Sequence, residues 1–307
     1  MRWPDGKRFA FSIFDDPDSQ TLQDSTTIYE FLSDIGVRST VGVWPIAADP
    51  ALRSDAGLTC ADPEYLKWIL ELQSRGFEIG FHNATSHTSV RGQTERALQQ
   101  FEGLFGRPPT TMSNHYHSRE ALYWGDDRLS GIQRTLYNLA TRWRNRNFSF
   151  GHKPGHPTFW GDLAHKKIRY CRNFVFGDIN TLKQCPQMPY HDPDRSFVNY
   201  WYASSEGANI QSCLNRIGER DQDRLEQEGG ACILYVHFGH GFQENGQVTP
   251  RFRHLMQRIA AKQGWFVPVG DLLDHLLTQR KDLVINPKER SAIERRWLLH
   301  KFRHGSE

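Results

Sequence analysis

The sequence predicts an α/β protein, a distorted (β/α) barrel of about seven strands with an inserted central segment over one rim. Two observations carry this reading. Apolar, strand-like runs alternate with amphipathic helical patterns, and the chemically useful polar residues fall where the strand-like runs end. Alternation of this kind joins parallel strands through crossover helices, and the strand C-termini of such a fold face a common mouth.

The elements follow in order. "RFAFSIF" (8–14) reads as the first strand and "STTIYEFLSDIG" (25–36) as the first helix. "VRSTVGVW" (37–44) is the second strand, and "DPEYLKWILELQSRG" (62–76) is a helix that stops at Gly76. "FEIGFH" (77–82), "TERALQQFEGLFG" (94–106) and "TTMSNH" (110–115, after Pro108 and Pro109) continue the scheme. It resumes near the end with "ACILYVHF" (231–238), helix "PRFRHLMQRIAAKQG" (250–264), strand "WFVPV" (265–269) and helix "GDLLDHLLTQR" (270–280). Between about 123 and 207 periodicity weakens outside "GIQRTLYNLATRWRNR" (131–146). Trp124, Trp143, Trp160, Trp201, Tyr200 and Tyr202 crowd this stretch, which reads as barrel elements carrying long insertions. Residues 1–285 thus form one domain, and 286–307 form a C-terminal basic amphipathic helix.

Composition narrows the function. The 307 residues carry 38 Lys and Arg against 35 Asp and Glu, a net charge of +3, too small to argue for nucleic acid as the partner. No apolar stretch approaches the roughly 20 residues that cross a bilayer, and "MRWPDGKRFAFSIFDD" has no signal core ahead of its acidic pair. The five cysteines are odd in number and lack a C-x-x-C spacing. A cytoplasmic protein with reduced thiols is expected.

Several reactive side chains fall at strand ends: Asp15 and Asp16 after the first strand, His82 after the third, Asn114 and His115 after the fourth, and His237 with His240 after a late one. Singly, each has a plainer reading as a turn, a helix cap or a core histidine bonded to backbone. Together they suit a divalent metal of the zinc type, which takes imidazole and carboxylate ligands and keeps one position for water. Asp16, His82 and His87 supply that set. Asp15 is then placed as a base for the water and His237 as an acid for the leaving group. A rim rich in Trp and Tyr suits a sugar, although such residues are equally at home in a core. "SSEG" (204–207) reads as a helix N-cap with an acidic first turn.

Three stretches resemble the NodB-type polysaccharide deacetylases, carbohydrate esterase family four. "FAFSIFDDPDSQT" (9–21) is similar to their first motif, "GFEIGFHNATSHTS" (76–89) to their metal-binding histidine motif and "ACILYVHF" to their last, while "IYEFLSDIGVRSTVGVW" (28–44) resembles the family's intervening helix and strand. The resemblance implies a distorted barrel and metal-dependent removal of an N-acyl or O-acyl group from a sugar. It implies Asp15 as base, Asp16, His82 and His87 as ligands of Zn²⁺, Co²⁺, Ni²⁺ or Mn²⁺, and His237 as acid. The chain departs from the family twice. Four residues separate His82 from His87 where the family has three, so an extra loop residue absorbs the change or His115 takes the place. The arginine of the family's third motif is missing from "TTMSNHYH" (110–117), leaving Arg169 or Arg172 in "IRYCRNFVFGDINT" (168–181) to contact the base, with Asp178 as the fourth-motif acid.

The expected activity is therefore deacetylation of an N-acetylated sugar in a nucleotide-linked, lipid-linked or oligosaccharide glycan intermediate. Asn114, His115, Arg172, Asp178 and His240 are candidate substrate contacts. A deformylase or amidase on a lipid-linked amino sugar and a glycan-binding homologue without catalysis are the alternatives. "SAIERRWLLHKFRHG" (291–305) reads either as a basic amphipathic helix lying on an anionic membrane at the inner face or as a last helix docked on the barrel.

Overall fold

The computed structural model describes residues 1–52, 56–116 and 118–304. Seven parallel strands run in chain order around a closed barrel: β1 (Phe9–Asp15), β2 (Thr40–Val43), β3 (Glu78–Phe81), β4 (Thr111–Met112), β5 (Tyr170–Phe176), β6 (Tyr200–Ser205) and β7 (Ala231–Val236). Closure comes from β7 pairing with β1 in register from Ala10↔Ala231 to Asp15↔Val236. On the other edge of β1 the partner changes. A further strand, β10 (Gly264–Phe266), takes Phe9 to Phe11, and β2 takes Phe14 and Asp15. β8 (Gln243–Glu244) and β9 (Gln247–Val248) form a small hairpin in the loop after β7.

Each strand has helices outside it, which explains the continuous apolar runs: β1 reads FAFSIFD and all seven residues are buried. Helices α1 (Leu22–Asp34), α2 (Pro63–Ser74), α3 (Arg91–Phe105), α4 (Gly131–Ala140), α5 (Gly161–Lys167) and α6 (Thr181–Gln184) occupy the first part of the chain. α7 (Ile210–Arg216), α8 (Glu219–Glu228), α9 (Pro250–Ala260), α10 (Val269–Thr278) and α11 (Pro287–His304) complete the set. α1 begins where Thr21 Oγ1 accepts from Asp24 N, and it turns Ile28, Tyr29, Phe31 and Leu32 inward. At the N-terminal end of the barrel the buried Glu78 carboxylate accepts from Thr40 Oγ1 at 2.6 Å, Thr111 Oγ1 at 2.9 Å and Gly270 N at 2.8 Å. This carboxylate ties β2, β3, β4 and α10 together at that end.

The structure refines the reading of the central segment and corrects one smaller expectation. The stretch from 123 to 207 does carry barrel elements, strands β5 and β6, and the irregular excursion is the part before β5. Most of its aromatics are core: Trp124, Trp160, Trp201 and Tyr202 are buried, while Trp143 is exposed. "SSEG" caps no helix. Ser204 and Ser205 end β6, and α7 is capped by Asn209, whose side chain accepts from Ser212 N. All five cysteines are buried and free.

The C-terminal helix is docked on the barrel. Ile293, Trp297 and Leu298 are buried, and a polar network fixes the helix beside them. The fully buried Asp192 carboxylate holds both Arg195 and Arg290, and Glu294 accepts from Arg195 Nη2 at 3.0 Å and Ser130 Oγ at 2.8 Å. Among the described residues no helix is long and apolar enough to cross a membrane. Replacing the carboxylate shared by two buried guanidinium groups leaves Arg195 with Glu294 alone and Arg290 with the exposed Asp194 alone. Asp192→Ala is therefore expected to lower unfolding stability by about 3–5 kcal/mol, measured by urea denaturation; a change within experimental error would show that the network does not hold α11.

Candidate active site

Asp15 and Asp16 are neighbours on a strand, so their side chains leave it on opposite faces. Asp15 points outward into α1 and the loop after β7. Its Oδ1 accepts from Phe238 N at 2.9 Å, and its Oδ2 accepts from Gln20 Nε2 at 2.6 Å and Tyr29 Oη at 2.9 Å. Burial pushes its carboxyl well above the ordinary range, outweighing the hydrogen bonds from Phe238 and Tyr29. It does not line the cavity at the barrel mouth. The structure thus does not bring Asp15 to where a base would act; it braces the loop that follows β1.

Asp16 faces that cavity but is already paired. Its Oδ2 accepts from Arg172 Nη2 at 2.6 Å and its Oδ1 from Ser113 Oγ at 2.7 Å, with both Asp16 and Arg172 1% exposed. Burial alone would raise this carboxyl. Arg172 on β5, with His82 and His237 nearby, reverses the sign and holds it below the ordinary value. Of the two arginines offered by the sequence, Arg172 makes this contact, whereas Arg169 is half-exposed and pairs with Asp274.

The residue around which the histidines gather is Asp18, which the sequence reading passed over. Pro17 ends the strand ladder after Asp16, and Ser19 adopts a left-handed backbone with φ 58°, so the chain folds back over the mouth. Gly239 is needed opposite: a Cβ there would lie 2.5 Å from the Ser19 backbone. Asp18 Oδ1 lies 3.1 Å from His115 Nε2, and its Oδ2 lies 3.3 Å from His82 Nε2 and 3.5 Å from His237 Nε2. Ligand atoms of Asp18, His82 and His115 all lie within 4.8 Å of one another, and those of Asp16, Asp18 and His237 form a second such group. His87 is elsewhere. Asn83, with φ 61°, turns the loop away, and His87 Nε2 accepts from Asp49 N at 2.9 Å.

The proton positions at His82 follow from the network. Ser113 has one hydroxyl proton and gives it to Asp16, so it must accept from His82 Nδ1 at 2.7 Å. A neutral His82 then presents a lone pair on Nε2 to Asp18 Oδ2, and neither atom, both buried, makes a directed hydrogen bond. Two acceptors face each other at 3.3 Å. Positive charge between them resolves the conflict, and one carboxylate with two imidazoles is a donor set for a zinc-type cation. The residues present therefore fit a divalent metal, which Asp18, His82 and His115 would hold.

The cavity has a volume of about 240 Å³ and is lined by Asp16, Asp18, His82, Arg172, His237 and His240 among others. Asn114 and His115 also line it, although the Asn114 amide is engaged by the Leu122 backbone in both directions, at 2.8 and 3.2 Å. His237 Nδ1 donates to Ala208 O at 2.9 Å, leaving Nε2 toward the cavity and 3.1 Å from Tyr235 Oη. Burial, and then His237, lowers the pKa of His240. Asp178 does not reach the cavity and pairs with Arg224 at 2.9 Å.

No protein-family model matches the chain, and no curated protein matches its sequence. Solved structures do. A Mycobacterium smegmatis protein provisionally described as a polysaccharide deacetylase superposes with a TM-score of 0.56 at 14% identity, covering 93% of this chain and 96% of its own. The fold is that of the NodB-type polysaccharide deacetylases. PuuE allantoinase has a TM-score of 0.50 at 12% identity, with 91% and 93% covered. This NodB-type barrel therefore keeps the topology of its neighbours with little of their sequence.

Zinc titration separates the candidate ligands. Asp18→Asn and His115→Ala are expected to weaken binding by more than roughly 100-fold, the loss a supporting residue alone can cause, and His87→Ala to leave it unchanged. Loss of zinc in His87→Ala with retention in His115→Ala would reverse the assignment.

Proposed function

We propose that this barrel is a metal-dependent hydrolase that removes an acyl group from an acylated amino sugar. The observation that carries the reading is the placement, in one cavity at the strand C-termini, of the Asp18, His82 and His115 donor set beside a carboxylate held ionised by Arg172. The barrel shared with polysaccharide deacetylases supports the sugar.

When bound, a divalent metal supplies Lewis acidity to the acyl carbonyl and lowers the pKa of the attacking water. The remaining steps belong to the chain. Asp16 accepts the water proton as oxygen adds to the acyl carbon, with Arg172 and Ser113 fixing its orientation. His237, anchored through Nδ1 on Ala208 O, delivers a proton from Nε2 to the departing nitrogen as the C–N bond breaks. The products are a free carboxylic acid and an amine. The base thus moves from the first to the second residue of the acidic pair, and the metal carboxylate moves to Asp18.

Acetate release from N-acetylated amino sugars, with and without a chelator, tests the reading; turnover indifferent to metal removal would sink it. Formate release from N-formyl sugars distinguishes a deformylase, and allantoin is the control because the fold is shared with an allantoinase. Asp16→Asn and His237→Ala are each expected to lower kcat by roughly 10²–10⁴-fold, with zinc content unchanged. Full turnover in Asp16→Asn together with loss in Asp15→Asn would restore Asp15 as base.

A further inference from the structure

Helix α4 turns an apolar stripe to the outside. Its inner face packs Tyr137 against Trp297 and is otherwise polar: Arg134 pairs with Asp126 and Asp127 at 2.8 Å, Asn138 Nδ2 donates to Asp126 at 3.0 Å, and Gln133 Nε2 donates to Ser291 Oγ at 2.8 Å. Its outer face is apolar. Ile132, Leu136 and Leu139, spaced four and three apart on one side of the helix, are 70%, 46% and 57% exposed, and Trp143 in the following turn is 47% exposed. A helix facing water has the opposite arrangement.

The charge at the C-terminal end of this stripe is one-sided. Of the cations between 128 and 161, Arg128 is buried and Arg134 and Lys153 pair with Asp126 and Asp127, which leaves Arg142, Arg144 and Arg146. Arg142, Arg144 and Arg146 are exposed beside Trp143 and form no ion pair with any described carboxylate, and Arg146 lies 5.2 Å from the Trp143 ring. The patch adjoins the active site. Tyr116 lines the catalytic cavity and also the depression formed by Ala140, Thr141, Arg142, Arg144 and Asn145.

We propose that the outer face of α4 and the 142–146 turn dock on an anionic bilayer surface, which sets the cavity mouth beside the headgroups. An exposed apolar stripe ending in a Trp flanked by three exposed arginines matches hydrocarbon below and anionic headgroups beside it. A nucleic acid would use the cations and leave Ile132, Leu136 and Leu139 in water. A second copy meeting this face in a two-fold dimer would oppose arginine to arginine. The proposal deepens the deacylase reading by giving its substrate a place, and it rests on that reading only for the meaning of the cavity.

Sedimentation of the full-length protein with vesicles of phosphatidylcholine alone, and of phosphatidylcholine with phosphatidylglycerol, at low and high salt, tests it. The protein is expected to bind the mixed vesicles, to ignore the neutral ones and to be released by salt. The triple variant Arg142→Gln, Arg144→Gln, Arg146→Gln should weaken partitioning by roughly 100-fold. The double variant Leu136→Ser, Leu139→Ser should weaken it too, and Phe302→Ser, on the exposed side of α11, should not. Wild-type melting temperatures show that the variants fold. Absence of binding to mixed vesicles, binding untouched by the α4 variants, loss in Phe302→Ser, or a dimer that dissociates in the Leu136→Ser, Leu139→Ser variant would each overturn the proposal. Vesicle binding is read without turnover, so an inactive protein that binds refutes only the catalytic reading, and an active one that never binds refutes only the docking surface.

Discussion

The buried pair of Asp16 and Arg172 constrains everything at the barrel mouth. Two charges taken out of water are tolerable only when matched, and here β1 supplies the anion and β5 the cation across the barrel interior. Both oxygens of Asp16 are engaged by Arg172 and Ser113, and the carboxylate within reach of both His82 and His115 comes from another residue. Asp18 is that carboxylate, brought back over the mouth by Pro17, the left-handed Ser19 and the close approach of Gly239. Ser113 extends the constraint to His82 by fixing which ring nitrogen carries the proton. Asp15, on the opposite face of the strand, is thereby released to tie β1 to α1 and to the loop after β7.

Most of the barrel was legible because its signals are periodic. Strands buried on both faces read as apolar runs, helices between them as one-sided patterns, and the ends of β1, β3, β4 and β7 were placed well enough to collect His82, His115 and His237. The ligand set was less legible because it depends on loop geometry. Nothing periodic reports that Asn83 turns the 84–89 loop away and gives His87 to the Asp49 amide. Nor does periodicity reveal that β4, two residues long, delivers His115 instead. The third carboxylate of "DDPD", beyond a strand-ending proline, was the available signal for Asp18.

Helices α11 and α4 differ for a related reason. A sequence pattern states that a helix has an apolar face and leaves open what covers it. In α11 that face is covered by the barrel, since Trp297 packs 5.7 Å from Tyr137 and 5.4 Å from Phe174, with Asp192 and its two arginines locking the helix in place. In α4 Tyr137 packs inward with the hydrogen-bonding side chains, while Ile132, Leu136 and Leu139 stay exposed with no cover among the described residues. Both helices carry cations, and burial, not composition, separates them.

The central claim is that Asp18, and neither Asp15 nor Asp16, joins His82 and His115 around one cation. Anomalous diffraction at the zinc edge from zinc-loaded crystals tests it most directly. The account predicts a single strong peak in the cavity, about 2.0–2.2 Å from Asp18 oxygen and the Nε2 atoms of His82 and His115, with Arg172 still paired to Asp16. A peak bonded to Asp16 and His87, with the Arg172 pair broken, would contradict it.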